Sequence, residues 1–242
     1  YEIASCLVGS EMCIRDRLST YLFSFVAGKL TREVYSRNGR DISIYHRETD
    51  PKKIAQCPAI ADEVFDALEW QEDFTGIPYP FAKYDVIILP GFQYGGMEHT
   101  GATLYTDRRM FLDEHPTLNE RLSRSSLIAH ETSHMWFGDY VTMKWFDDVW
   151  TKEVFANYFA SRIVEPLYPD VNHRLNFIRD YIPHLIRKTV RQVRIRSSKI
   201  WIICGTPVWY MEISSMINLP WLWKCWYVFW EKRLSSRESV ST

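Results

Sequence analysis

Several broad classes are excluded by what this chain has little of. Cysteine is scarce: Cys6, Cys13, Cys57, Cys204 and Cys225 are the only five, and no two stand in a Cys-x-x-Cys spacing. Neither a redox pair nor a thiolate metal knuckle is therefore indicated, and nothing points to a disulfide scaffold. An excess of one charge is also lacking, because the formal net charge is -1, which argues against a binder of polyanions such as nucleic acid. Long apolar runs are missing too. The most apolar stretch, from Trp201 to Trp230, is interrupted by Pro207, Glu212, Pro220 and Lys224, whereas a membrane-spanning helix needs about 20 largely uninterrupted apolar residues. The first residues contain no methionine start and no continuous apolar h-region of a secretory leader.

What is present divides unevenly. Residues 1–186 hold 19 Lys/Arg and 27 Asp/Glu, whereas residues 187–242 hold 10 and 3, together with six of the ten tryptophans. Three segments are expected. Residues 1–17 contain CLVGSEMCIRDR, which resembles a translated sequencing adapter, and are expected to be an artefactual leader. Residues 18–186 have the patterning of a folded domain. Residues 187–242 change composition abruptly in mid-domain, and a frameshifted or misassembled tail is favoured there over a membrane-surface segment or a nucleic-acid stacking surface.

Within 18–186 the order of elements is mixed. Tyr21 to Val26 and Asp41 to Tyr45 carry the β-branched and aromatic residues of strands, with Asn38-Gly39 as the turn between them. From about Asp50 to Phe74, Ile54, Ile60, Val64, Phe65 and Leu68 recur at mostly helical spacing, with Pro58 interrupting or opening the main helix. Tyr84 to Leu89 is a short buried strand closed by Pro90-Gly91. Two more helices are expected, one from Thr117, with Glu120 three places on, to Phe137, and one from Asp148 to Val164. Asp147 or Asp148 is a candidate either to cap the second or to orient a ligand, with the cap favoured. Trp136, Phe137, Trp145, Phe146 and Trp150 are expected core anchors.

The densest chemical signal is His130-Glu131-Thr132-Ser133-His134 inside the apolar-periodic stretch LIAHETSHMWF. Histidines four positions apart share a helix face about one turn apart, so both imidazoles can converge on one cation, with Glu131 in reach of water held there. A core His130, a surface His134 and a solvated Glu131 are the plain alternative. Glu153 follows His134 after 18 intervening residues in the periodic stretch DDVWTKEVFANYFA. A returning helix would bring its carboxylate beside the imidazoles; alone it is an ordinary surface glutamate. Two imidazoles and one carboxylate leave a fourth tetrahedral position for water, as catalytic zinc requires.

Three stretches together resemble the alanyl-aminopeptidase-like zinc metallopeptidases, the gluzincin group: GGMEH at Gly95 to His99, HETSHMWFGDYVTMKW at His130 to Trp145, and DDVWTKEVFANYFA at Asp147 to Ala160. The resemblance covers residues 18–186. It implies an α/β (α+β) thermolysin-like catalytic domain, here incomplete, and a zinc-dependent aminopeptidase that hydrolyses the N-terminal peptide bond of peptides. It further implies one zinc ion on His130, His134 and Glu153, Glu131 as general base, and Glu98 as anchor for the substrate's free amine, with Gly95, Gly96 and Met97 beside it on a strand edge. Phe92, Tyr94 and Met97 are candidates either for a side-chain pocket or for core. The implied partners are peptides with a free N-terminus, with no nucleic acid and no membrane span. The chain departs from the pattern at His99, Lys152 and Val154, where the family has asparagine, asparagine and glycine. The family's downstream catalytic tyrosine is expected inside the tail, and Tyr210 and Tyr227 are not assigned to it. The alternative is a noncatalytic, metal-stabilised interaction module or an inactive peptidase fragment.

Overall fold

The structure is a computed structural model that describes residues 22–143 and 149–179. The expected leader, the whole of the expected tail, Asp147, Asp148, Trp145 and Phe146 lie outside the described residues. The chain divides after His173 into two units; residues 174–179 of the second are helical.

Asn38 and Gly39 both take positive φ, 53° and 78°, the geometry of a tight two-residue hairpin turn. The turn joins β1 (Thr31–Arg37) to β2 (Arg40–His46) in antiparallel register, with Arg37 opposite Arg40. This corrects the expected first strand at Tyr21 to Val26, because residues 22–26 form no strand. A turn that pairs its immediate flanks requires the seven residues directly before it, although they read TREVYSR. Those polar residues are tolerated because β1 is a sheet edge, exposed along much of its length.

After β2 a short helix α1 (Pro51–Ile54) leads into α2 (Cys57–Thr75). Pro58 sits in the first turn of α2, where its missing N–H leaves no intrahelical bond unmade. Gly76, at φ 66°, ends the helix and donates its N–H to the Glu72 carbonyl at 2.8 Å. Ile60, Val64, Phe65 and Leu68 are buried as their spacing requires, while Ile54 is only half-buried. On the outer face Arg37 reaches Asp62 and Asp66, each at 2.6 Å, and Arg40 reaches Glu72 at 2.5 Å, so the hairpin is clipped to α2 by charge as well as by packing.

β3 (Tyr84–Leu89) runs parallel to β2 and is buried along nearly its whole length. Two strands escaped sequence reasoning because they are short. β4 (Gly96–Met97) pairs antiparallel with β5 (Thr103–Thr106), and β5 pairs parallel with β3, so the mixed sheet has the order β1-β2-β3-β5-β4. Phe92 and Met97 pack against the cluster of Tyr45, Ile87, Ala102 and Leu104, whereas Tyr94 is exposed. A single turn, α3 (Asp107–Met110), follows β5.

α4 (Leu118–His134) begins as expected with a reciprocal capping box between Thr117 and Glu120. It ends three residues before the expected Phe137. Met135, Trp136 and Phe137 remain buried, but Gly138 turns the chain at φ 145°, and the N–H of Asp139 returns to the His134 carbonyl at 3.0 Å. α5 (Val149–Val164) then packs along α4. Stacked rings seal their contact, with Phe137 and Phe159 at 4.5 Å between centroids. Trp150 is half-buried.

Candidate metal centre

α4 carries two faces with different tasks. Thr132 turns inward, where its hydroxyl lies 3.0 Å from that of Tyr84 on β3, itself 3.1 Å from that of Tyr105 on β5. This buried chain of hydroxyls fixes the rotation of the helix against the sheet. His130 and His134 consequently share another face, with their Nε2 atoms 3.1 Å apart. His134 is almost fully buried, and its Nδ1 donates to the Phe137 carbonyl at 3.2 Å, which orients the ring with Nε2 toward the other donors.

Glu153 comes from the returning α5. Its Oε2 lies 3.4 Å from His130 Nε2 and 3.6 Å from His134 Nε2. A tetrahedral ion with bonds of about 2.0–2.2 Å holds its donors about 3.3–3.5 Å apart, so the triangle fits one zinc ion. The donor set fits as well, being two imidazoles and a carboxylate with no fourth protein ligand among the described residues. Glu153 remains 44% exposed on its side chain, so the triangle opens to solvent on that side. Burial works to raise its pKa, but hydrogen bonds from both histidines and the charges of His134 and Lys152 hold it well below the usual carboxylate range.

Glu131 is buried on the neighbouring side, against β4. A Cβ added to Gly96 would stand 2.6 Å from its Cδ and 2.7 Å from its Cγ, closer than any real side chain packs. The bare α-carbon of Gly96 lets the strand edge meet the carboxyl group, and a methyl group there would oblige the Glu131 side chain to move. Burial, reinforced by the negative charges of Glu98 and Glu153, pushes Glu131 up to about 8 against the opposing influence of His130 and Lys152.

Glu98 is buried rather than a solvated loop residue, and the partner of its carboxylate is the Lys152 ammonium from α5. Lys152 also stands 3.3 Å from Glu153 Oε1. Although burial opposes it, the charges of His134 and Lys152 keep Glu98 ionised below its ordinary range. A second grouping, Glu98, Glu131 and His134, also brings its donors together, but there Glu98 is already committed to Lys152. His99, on the other side of the same strand end, donates from Nδ1 to the Leu22 carbonyl at 2.9 Å, so it ties down the incoming chain.

Two features were missed by sequence reasoning. Asp139 is fully buried with no hydrogen bond to either carboxyl oxygen among the described residues, and burial, with Glu98 and Glu131 nearby, pushes it well above the usual range. The Lys152–Glu98 pair was also missed, since Lys152 was visible only as a departure from a pattern. Gly138 is packed less tightly than Gly96 but still closely: an added Cβ would lie 3.2 Å from His134 Nδ1 and 3.4 Å from the Lys152 Cβ.

The sequence matches the Peptidase family M1 domain over residues 60–200. It is 35% identical over 155 residues to a probable aminopeptidase 2 of Sulfurisphaera tokodaii, which covers 64% of this chain and 19% of that protein. It is 32% identical over 171 residues to endoplasmic reticulum aminopeptidase 1 of Homo sapiens, covering 70% and 18%, and 33% identical over 158 residues to aminopeptidase N of Lactococcus lactis subsp. cremoris, covering 64% and 18%. The chain therefore spans roughly a fifth of the length of the curated relatives it matches. With the donor triangle carried on two of the elements inside the matched region, the chain belongs to peptidase family M1.

Proposed function

We propose that residues 18–186 are part of the thermolysin-like catalytic domain of a zinc-dependent aminopeptidase, with His130, His134 and Glu153 as the ligands of one zinc ion. The observation that carries the reading is the triangle of 3.1, 3.4 and 3.6 Å between their donor atoms. The aminopeptidase names of its relatives support the substrate class.

Zinc bound there would polarise the scissile carbonyl and make a bound water acidic enough to attack at neutral pH. Glu131 is the general base: its carboxylate takes the proton of the attacking water and passes it to the departing amine. Glu98 fixes which bond reacts, because a buried carboxylate pairs with the ammonium of a free N-terminus and sets the first peptide bond over the metal. Gly95, Gly96 and Met97 supply the backbone against which the substrate lies.

Lys152 gives this site a particular character. Its ammonium already occupies the carboxylate that the substrate amine needs, so the amine enters by exchange with an internal cation and not by filling a vacant anion. The test is zinc analysis of the full-length protein together with hydrolysis of free and Nα-acetylated peptides. Cleavage confined to the free peptides, and lost in Glu131→Gln with zinc retained, supports the proposal; one zinc per chain with no hydrolysis favours the noncatalytic module.

A further inference from the structure

A second set of metal-ligating side chains lies on the hairpin side of the sheet, on elements that contribute nothing to the first. Glu33 on β1 faces Ile44 on β2, and His46 faces Thr31, so Glu33 and His46 are diagonal neighbours on one face of the hairpin. Cys57, the first residue of α2, comes to the same face. One ligand atom from each of the three lies within 4.8 Å of the others.

His46 and Cys57 are completely buried. Neither ring nitrogen of His46 has a hydrogen-bond partner among the described residues, although buried polar atoms are nearly always paired. Phe111 packs edge-on against the imidazole at 5.9 Å between centroids, which fixes the plane of the ring without satisfying either nitrogen. Nε2 points toward Glu33, 3.5 Å from its Oε1. The other Glu33 oxygen accepts the Tyr35 hydroxyl, so the carboxylate is held in place with one oxygen turned inward. Glu33 is partly exposed, which gives an ion a way in from solvent.

We propose that Glu33, His46 and Cys57 form a second divalent-metal site that takes zinc or a comparable borderline ion. A thiolate, an imidazole and a carboxylate are the donor types such ions prefer, and hard cations such as magnesium or calcium do not choose sulfur. The ion would join β1, β2 and the start of α2, three pieces separated in sequence, and would supply the missing partner of His46. On binding, the sulfur–metal bond forms as the Cys57 S–H bond breaks, and the proton leaves to solvent. Burial and the neighbouring Glu33 carboxylate push the free thiol up to about 12, so in the metal-free protein it stays protonated.

Cobalt(II) distinguishes this site from the first, because only a thiolate ligand adds an intense sulfur-to-cobalt charge-transfer band. The full chain with Cys6, Cys13, Cys204 and Cys225 changed to serine retains Cys57 as its sole thiol. Titration of that protein is expected to show two equivalents bound, one carrying the charge-transfer band. Cys57→Ser should abolish the band and leave one equivalent, and His46→Gln should weaken the band-carrying equivalent at least tenfold. A parent titration that saturates with nitrogen and oxygen ligand bands alone overturns the proposal, and so does a charge-transfer band that persists in Cys57→Ser. The parent titration leaves every residue of both clusters unchanged, and circular dichroism of the parent and of the two substituted proteins shows whether their losses are local.

Discussion

The cluster of His130, His134 and Glu153 and the cluster of Glu33, His46 and Cys57 are built from similar donors but assembled in opposite ways. In the first, two proposed ligands are one helical turn apart and the third lies on the next helix, half-exposed to solvent. In the second, each ligand belongs to a different element, and two of the three are sealed inside. An open site can bring substrate to its ion, whereas a closed one can only hold the chain together. The comparison separates a proposed catalytic ion from a proposed structural one by geometry alone.

The largest expected effect falls on the open site. Glu131→Gln should lower kcat by about 10²- to 10⁴-fold, the usual contribution of a positioned acid–base group, with the zinc content of that site unchanged. Cys57→Ser should leave kcat within a factor of about two while it removes the second ion and lowers the thermal midpoint. Equal loss of kcat in both variants, measured on free-amine peptides, would erase the distinction.

Lys152→Met should destabilise the protein by about 3–5 kcal/mol, because it leaves the Glu98 carboxylate buried without its partner. The same change should lower KM for peptides with a free N-terminus, whose ammonium then meets no competitor. Urea unfolding and peptide kinetics read the two effects separately. An unchanged KM would deny Lys152 the competing role.

Gly96→Ala should follow, at about 1–3 kcal/mol, from forcing a methyl group onto Glu131. Its kcat should fall at least tenfold because the displaced group is the proposed base. Thr117→Ala removes one half of the capping box far from either cluster and should cost about 1 kcal/mol, with no change in kcat.

The smallest effect is on the acid limb of stability. Burial works to raise Glu72, but hydrogen bonds from Arg40 and the Tyr79 N–H and the charge of Arg40 hold its pKa below the ordinary 4.5. A depressed carboxylate stabilises the fold above its unfolded pKa, and that contribution is lost as pH falls through the folded value. Glu72→Gln should therefore lower stability near neutral pH and flatten its decline below about pH 4.5, as followed by unfolding at stepped pH.

Periodicity and punctuation explain which parts of this molecule were legible in its sequence. The helix of the His130 pair, the returning helix of Glu153, the strand Tyr84–Leu89 and the Asn38-Gly39 turn are each specified by neighbours within a few residues. The first strand was misplaced because its apolar content is low, and only the register of the turn reveals it. β4 and β5 are two and four residues long, too short for any alternation to register. Glu153 could be proposed as a partner for the histidines because one helix hairpin connects them. Glu33, His46 and Cys57 could not, since their meeting depends on strand register and on where α2 lands. The Lys152–Glu98 contact joins residues 54 positions apart, and no local pattern encodes such a pair.

The tight contact at Gly138 makes one α-carbon a common abutment. The imidazole of His134 rests on one side of it and the aliphatic stem of Lys152 on the other, so a single methyl group there would push a proposed metal ligand and the cation beside Glu98 at the same time. With the roles proposed above, added bulk at position 138 would be expected to disturb ion affinity and N-terminal ammonium affinity together.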